Sequence, residues 1–240
     1  MKVLLVVAHP EANSFNGALR DAVVSEVKRL GHHITVSDLY QQGFDPRGGP
    51  ADFAKRHNNA QFHYQTEQTQ AALNGTFAKD LADEQQKLKD ADLLILQFPI
   101  WWGGEPAMLK GWFDKVAAYG VAYADGKRFE SGLFKGRRSL VSVTTGGTPR
   151  RFTDEGGYGD INKVLWPVQQ LFLGYLGFTL TEPQVAYAVA RTDENTRQQY
   201  IDNLKARVRQ LLAEPVDATP IPSSQELLAE LGDRDWRHPG

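Results

Sequence analysis

Six consecutive apolar residues, Val3-Leu4-Leu5-Val6-Val7-Ala8, constrain the fold of this chain more than any other stretch. A strand with no polar alternation must be covered on both faces, which calls for a parallel sheet flanked by helices. The residues that follow supply the first of those helices. Leu19, Val23, Val27 and Leu30 recur at helical spacing, Ser14 or Asn13 can cap the start, and Gly31 can end it. The spacing predicts a helix over 15–30. Ile34 and Val36 place the next strand over 33–39. A strand–helix–strand opening of this kind predicts an α/β domain with right-handed crossovers.

The same reading continues along the chain. Residues 40–76 show no convincing period and read as a long irregular segment centred on Phe62, His63 and Tyr64. Helices are expected over 79–89, 106–116, 162–176 and 194–212, with Pro106 in the first turn of its helix. Strands are expected over 93–98, 139–144 and the first half of 178–189. Five strands alternating with helices predict a doubly wound five-stranded parallel sheet of order 2-1-3-4-5, occupying residues 1–214. Residues 215–240 form a proline-rich tail with one short amphipathic piece at 224–231, read as packing on a partner subunit or as disordered.

Composition excludes several function classes. The 240 residues carry a net charge of −2, which gives no electrostatic reason to expect nucleic acid or an anionic membrane. The absence of cysteine removes disulfides, thiolate metal sites and a cysteine nucleophile. The histidines show no metal-ligand spacing, so no metal is expected. The first apolar run is too short to span a bilayer and lacks a cleavage pattern, so a cytoplasmic protein without membrane insertion is expected.

In doubly wound sheets ligands bind beyond the carboxyl ends of the strands. Three loops leave those ends. The first, 9–16, is neither a dinucleotide fingerprint nor a Walker loop, but a helix start there can hold a phosphate, with His9 as a further donor. The second is Pro99-Ile100-Trp101-Trp102-Gly103-Gly104, where aromatic rings beside glycine backbone suit a flat heteroaromatic ligand. The third is Thr144-Thr145-Gly146-Gly147, whose N–H groups could face the electron-rich edge of a reduced flavin.

These segments, together with Ser37-Asp38-Leu39-Tyr40, Leu109-Lys110-Gly111-Trp112-Phe113, Gly159-Asp160-Ile161-Asn162, Leu165-Trp166-Pro167 and Glu182-Pro183-Gln184, resemble the NAD(P)H:quinone oxidoreductases of the DT-diaphorase type in the flavodoxin-like fold. The match runs over residues 2–212 in order. The resemblance implies a homodimeric, FAD-dependent NAD(P)H dehydrogenase (quinone). It would pass two electrons from NAD(P)H through the flavin to a quinone or other small aromatic acceptor, in ping-pong fashion. FMN is the lesser alternative as cofactor. A reductase of azo or nitro compounds, or a regulatory flavoprotein subunit of a membrane transporter, is the alternative function.

Position by position, the resemblance puts His9, Ser14, Phe15 and Asn16 at the FAD pyrophosphate. It puts Pro99, Ile100, Trp101, Trp102 and Gly103 along the isoalloxazine, with Thr144, Thr145, Gly146 and Gly147 at its other edge. Trp101 and Trp112 also read as structural. Val189 and Arg197 fall at the adenosine end, and Phe62 and His63 reach the cofactor from the other subunit. Tyr123 and Tyr175, with Trp102 and Gly103, match the substrate pocket. A glycine at 103, where relatives often carry a bulky ring, implies a wider pocket. Gly146, Phe152 and Tyr158 take the catalytic positions. There the family's best-studied members carry a tyrosine and a histidine that relay charge and a proton. Phenylalanine has no exchangeable proton, so that relay cannot run in the same form here, although Tyr158 and Arg150 or Arg151 could still face the reduced ring.

Overall fold

In a computed structural model of the protein, which describes residues 1–230, the strands and helices follow the alternation expected from the sequence. In chain order they are β1 (Lys2–Val7), α1 (Phe15–Arg29), β2 (His33–Asp38), α2 (Tyr64–Asn74), α3 (Lys79–Asp90), β3 (Leu93–Pro99), α4 (Ala107–Val116), β4 (Arg138–Thr144), α5 (Ile161–Trp166), β5 (Thr179–Leu180), β6 (Gln184–Ala186), α6 (Glu194–Ala213) and α7 (Ser224–Ala229). The sheet is parallel in the order β2-β1-β3-β4-β5, with β6 also paired to β4. This is the 2-1-3-4-5 order of the flavodoxin-like fold expected from the sequence.

The two faces of the sheet bury different side chains. Val3, Leu5 and Val7 point to one side and meet Leu19, Val23 and Val27 of α1 and Leu204, Val208 and Leu211 of α6. Leu4, Val6 and Ala8 point to the other, where Leu81 and Leu88 of α3 and Leu109, Trp112 and Val116 of α4 cover them. Trp112 is fully buried and donates its indole N–H to the buried Glu84 carboxylate at 2.8 Å, a structural position as expected.

Glu26, buried between α1 and α6, accepts from Arg29 at 2.6 Å and lies 3.3 Å from Arg209. The hydrogen bond from Arg29 holds its carboxyl below the ordinary value of 4.5, against the upward push of burial. A lowered folded value means that the pair stabilises the protein above about pH 4.5 and loses that contribution as pH falls through the folded value. Replacing Glu26 by Gln is therefore expected to lower the urea midpoint at pH 7 and to leave it nearer the parent's at pH 3.

Four local expectations are corrected. Residues 64–74, read as irregular, form α2. Its inward face carries Glu67, Gln68 and Thr69 beside a single alanine, Ala71, so it has no apolar period to detect. Glu67 is satisfied by the N–H groups of His57 (2.7 Å) and Asn58 (3.0 Å). The helix expected over 162–176 is α-helical only to Trp166 and continues with π-helical turns from Pro167 to Gly174. Pro167 has no N–H to return to the preceding turn, and the register shifts there. Pro106 stands at the N-cap of α4, with extended ψ of 148°, rather than inside its first turn. The fifth strand is split, because Glu182-Pro183 interrupts the pairing that resumes at β6.

The tail as far as Glu230 runs back over its own domain. Arg137 donates to the Thr219 carbonyl at 2.9 Å, Leu227 of α7 is buried, and Lys127 pairs with Glu230 at 2.7 Å. Leu231, the last residue of the expected amphipathic piece, and the tail beyond it lie outside the described residues. Among the described residues no helix is long and apolar enough to cross a membrane.

Candidate functional site

Three loops leave the carboxyl ends of β1, β3 and β4, and a chain of buried amides joins their roots. Gln97 of β3 donates to the side-chain carbonyl of Asn16 at 2.9 Å, and the Asn16 amide donates to Thr144 Oγ1 at 3.0 Å. All three residues are buried. The side chain of Asn16, expected at the pyrophosphate, is committed inward to Gln97 and Thr144. Gln97 is the single polar residue in the otherwise apolar run 93–98, and this cross-link is its role.

The first loop folds tightly onto the start of α1. Ser14 caps the helix by accepting from the Gly17 N–H at 3.3 Å. His9 Nδ1 lies 3.1 Å from the Glu11 N–H and 3.0 Å from the Glu11 carbonyl, so this ring nitrogen is engaged within the loop. A Cβ on Gly17 would lie 1.9 Å from the Ala12 carbonyl oxygen, so the loop can close only over a glycine. Phe15 packs edge-on against Tyr200 of α6 at 6.5 Å.

The second loop is a two-residue turn. Trp101 and Gly104 exchange backbone hydrogen bonds of 2.9 and 3.1 Å, with Trp102 and Gly103 between them at φ of 52° and 80°. Positive φ at both central positions is the type I′ geometry, which favours Asn and Gly. A tryptophan there is strained by about 1–3 kcal/mol. It is also completely exposed, at 107% of its reference area. Trp101 turns back toward the His9 ring, 6.2 Å away, and half of it is exposed. Pro99 closes β3 and is buried.

The third loop is held by the segment after β6. The Thr145 carbonyl accepts from the Val189 N–H (3.2 Å), the Gly147 carbonyl from the Ala188 N–H (3.0 Å), and the Gly146 carbonyl from the Arg191 guanidinium. Arg197 donates to the Val189 carbonyl at 3.2 Å. Every peptide bond among the described residues is trans. The N–H groups of Gly146 and Gly147 therefore point opposite to the carbonyls of Thr145 and Gly146. Among the described residues neither N–H has a protein acceptor.

Between the second and third loops lies a cavity of about 410 Å³ lined by Ile100, Trp102, Gly103, Thr145, Gly146, Gly147, Phe152, Tyr158 and Val164. Phe152 is buried and half-exposed Tyr158 tilts against it at 5.2 Å. A Cβ on Gly147 would meet both rings at 2.8 Å. Arg151 lies 5.6 Å from the centre of the Tyr158 ring and donates to its hydroxyl at 3.4 Å. Nothing stands within 4 Å of a Cβ built on Gly103 or Gly146, so that wall is open.

The remaining expected positions lie elsewhere on the chain. Tyr123 and Tyr175 line a second groove of about 380 Å³ with Phe113, Leu171 and Phe172. Burial, with Tyr175 and Asp125 nearby, pushes the Tyr123 hydroxyl above its usual range, so it stays protonated. His63 caps α2, where it accepts from the Thr66 N–H at 3.3 Å. Val164, which lines the cavity, and Arg191, which holds the Gly146 carbonyl, are residues that the sequence reading missed. Val164 lies on a helix face with nothing to mark it, and Arg191 acts through a backbone carbonyl.

The family described as flavodoxin-like fold matches residues 1–212. The ribosyldihydronicotinamide dehydrogenase [quinone] of Pongo abelii is 40% identical over 220 residues, covering 91% of this chain and 95% of that protein. NAD(P)H dehydrogenase [quinone] 1 of Rattus norvegicus is 38% identical, covering 86% and 76%. The solved structure of a candidate quinone reductase from Klebsiella pneumoniae superposes with a TM-score of 0.84 at 35% identity, covering 92% of this chain and 87% of the other. With its three strand-end loops, its parallel sheet order and this likeness over nearly its whole length, the chain belongs to the flavodoxin-like family of quinone dehydrogenases.

Proposed function

We propose that the protein is an FAD-dependent NAD(P)H:quinone oxidoreductase working as a homodimer. The observation that carries this reading is the pair of unpartnered N–H groups at Gly146 and Gly147, on the wall of a cavity whose other side is Trp102. The residues fit a flavin. An apolar ring wall meets two fixed donors, and the open glycines leave room for a flat group between them. A bound flavin supplies the hydride relay between a nicotinamide donor and a quinone.

The rest is the work of this chain. Trp102 and Ile100 would support the ring face, and the Gly146 and Gly147 N–H groups would meet the edge where charge collects on reduction. The first turn of α1, with the His9 ring beside it, would hold a pyrophosphate; its free N–H groups and the helix dipole favour an anion there. Val189 and Arg197 lie beyond it, where the adenosine of FAD would extend. Phe152 and Tyr158 close the cavity against water, and neither offers a base near neutral pH.

Tyr123, Tyr175 and His63 are absent from the cavity lined by their own chain's Trp102. A second copy would bring them to it, which is why the reading includes a dimer. Two measurements on purified protein test the proposal. Released flavin identified as FAD and a dimer mass by light scattering are expected. Protein that binds no flavin, or a flavin-loaded monomer with full quinone-dependent NAD(P)H oxidation, would overturn it.

A further inference from the structure

We infer that Arg191 is a positioning residue that tunes the bound flavin through the Gly146–Gly147 amide. This rests on the flavin reading of the site. The Arg191 guanidinium donates to the Gly146 carbonyl, and the other end of that same amide is the Gly147 N–H. The amide is planar and trans, so fixing the carbonyl fixes the direction of the opposite N–H, which belongs to a residue lining the cavity. A cation on the carbonyl also draws electron density toward that end and strengthens the N–H as a donor. Arg191 thus acts on the cavity through one peptide unit without lining it.

Local backbone supports a built arrangement. Ala188 adopts φ of 50°, a left-handed conformation rare outside glycine and Asn. From it the chain turns tightly, with the Arg191 N–H donating to the Ala188 carbonyl at 2.7 Å. The same turn sends the Ala188 and Val189 N–H groups to the carbonyls of Gly147 and Thr145. Three consecutive carbonyls are thereby faced away from the cavity, and only the middle one is held by a charge. That charge answers a need specific to this chain. With Phe152 and Tyr158 in the loop after the glycines, neither of those side chains can become a cation near neutral pH to offset a reduced flavin. Arg151, the nearest alternative, is occupied with the Tyr158 ring and hydroxyl.

The midpoint potential of the flavin in the loaded protein tests this directly, because it is read without any turnover. Arg191→Ala is expected to shift the equilibrium about tenfold toward the oxidised form, ~30 mV lower for a two-electron couple. Arg191→Gln, which keeps a donor and loses the charge, is expected to fall with it, and Arg191→Lys to stay near the parent value. Arg151→Ala should move the potential less than Arg191→Ala. An unchanged potential in Arg191→Ala, or an equal or larger change in Arg151→Ala, would overturn the inference and leave the flavin reading standing. Failure of the unaltered protein to bind flavin would overturn both.

Discussion

Trp102→Gly is expected to raise the dissociation constant for FAD by roughly 10- to 100-fold while leaving the fold as stable as before or slightly more so. The two effects have different origins. Trp102 sits at φ of 52° in a turn whose geometry suits glycine, and its ring touches solvent on every side. Removing the side chain relieves about 1–3 kcal/mol of backbone strain. Glycine's greater freedom in the unfolded chain takes back about 0.5–1 kcal/mol. The net change in the urea midpoint is therefore small and upward. For the ligand the balance reverses. Stacking an aromatic ring is worth about 0.5–1.5 kcal/mol beyond the area buried, and apolar burial adds about 25 cal/mol per Å². A loss of about 1.4–2.8 kcal/mol, one to two decades in affinity, follows. Fluorescence titration with FAD beside urea unfolding reads both numbers. An unaltered FAD affinity would remove Trp102 from the site.

Gly17→Ala is the second large effect, and here two terms of opposite sign must be weighed. Alanine in a helix is favoured over glycine by about 1 kcal/mol, which alone would stabilise α1. The added Cβ, however, would stand 1.9 Å from the Ala12 carbonyl oxygen, a backbone atom that cannot rotate away. Forcing an atom into a filled space costs about 1–3 kcal/mol, so the clash wins and the 9–14 loop lifts off the helix. That loop carries His9 and frames the first turn of α1, so FAD affinity should fall at least tenfold. FMN, which lacks the second phosphate and the adenosine, should be affected less. Equal losses for both ligands would argue that the variant damages the fold rather than the phosphate cradle.

Much of this molecule was legible in the sequence because its signals are periodic or steric. The unbroken run from Val3 to Ala8 demanded a sheet covered on both faces, and the two faces of β1 indeed feed two separate cores. The three loops at 9–16, 99–104 and 144–147 could be brought together by sheet order alone, and the Gln97–Asn16–Thr144 chain shows that their roots meet. What escaped was governed by polar contacts at long range. α2 turns Glu67, Gln68 and Thr69 inward, with Glu67 and Gln68 met by loop backbone N–H groups and Thr69 bonded to its own helix, so no hydropathy pattern reveals it. Asn16 reads as a residue facing a phosphate at the helix start until the buried amide of Gln97 is seen beside it. Arg191 lies 45 positions from the carbonyl that it holds, and no spacing rule connects a side chain to a distant peptide. The change from α to π turns at Pro167 was marked by the proline, but the direction of the change was not.

The type I′ turn also bears on substrate choice. Gly103 has open space around its Cβ position, and the cavity is closed on the far side by Phe152, Tyr158 and Val164. In the proposed reading, the wall that would set acceptor size is backbone on one side and rings on the other. Such a pocket selects for flat molecules by thickness more than by specific hydrogen bonds.

The central claim is that the Trp102 wall and the Gly146–Gly147 donors form a flavin site serving a nicotinamide donor and a quinone acceptor. Anaerobic addition of NADPH or NADH to the FAD-loaded protein, followed by menadione, tests it in one cuvette. Loss of the visible flavin band with the nucleotide, and its full return with menadione, is the result that the account predicts. A band that neither nucleotide bleaches, or one that stays bleached when the quinone is added, would contradict it.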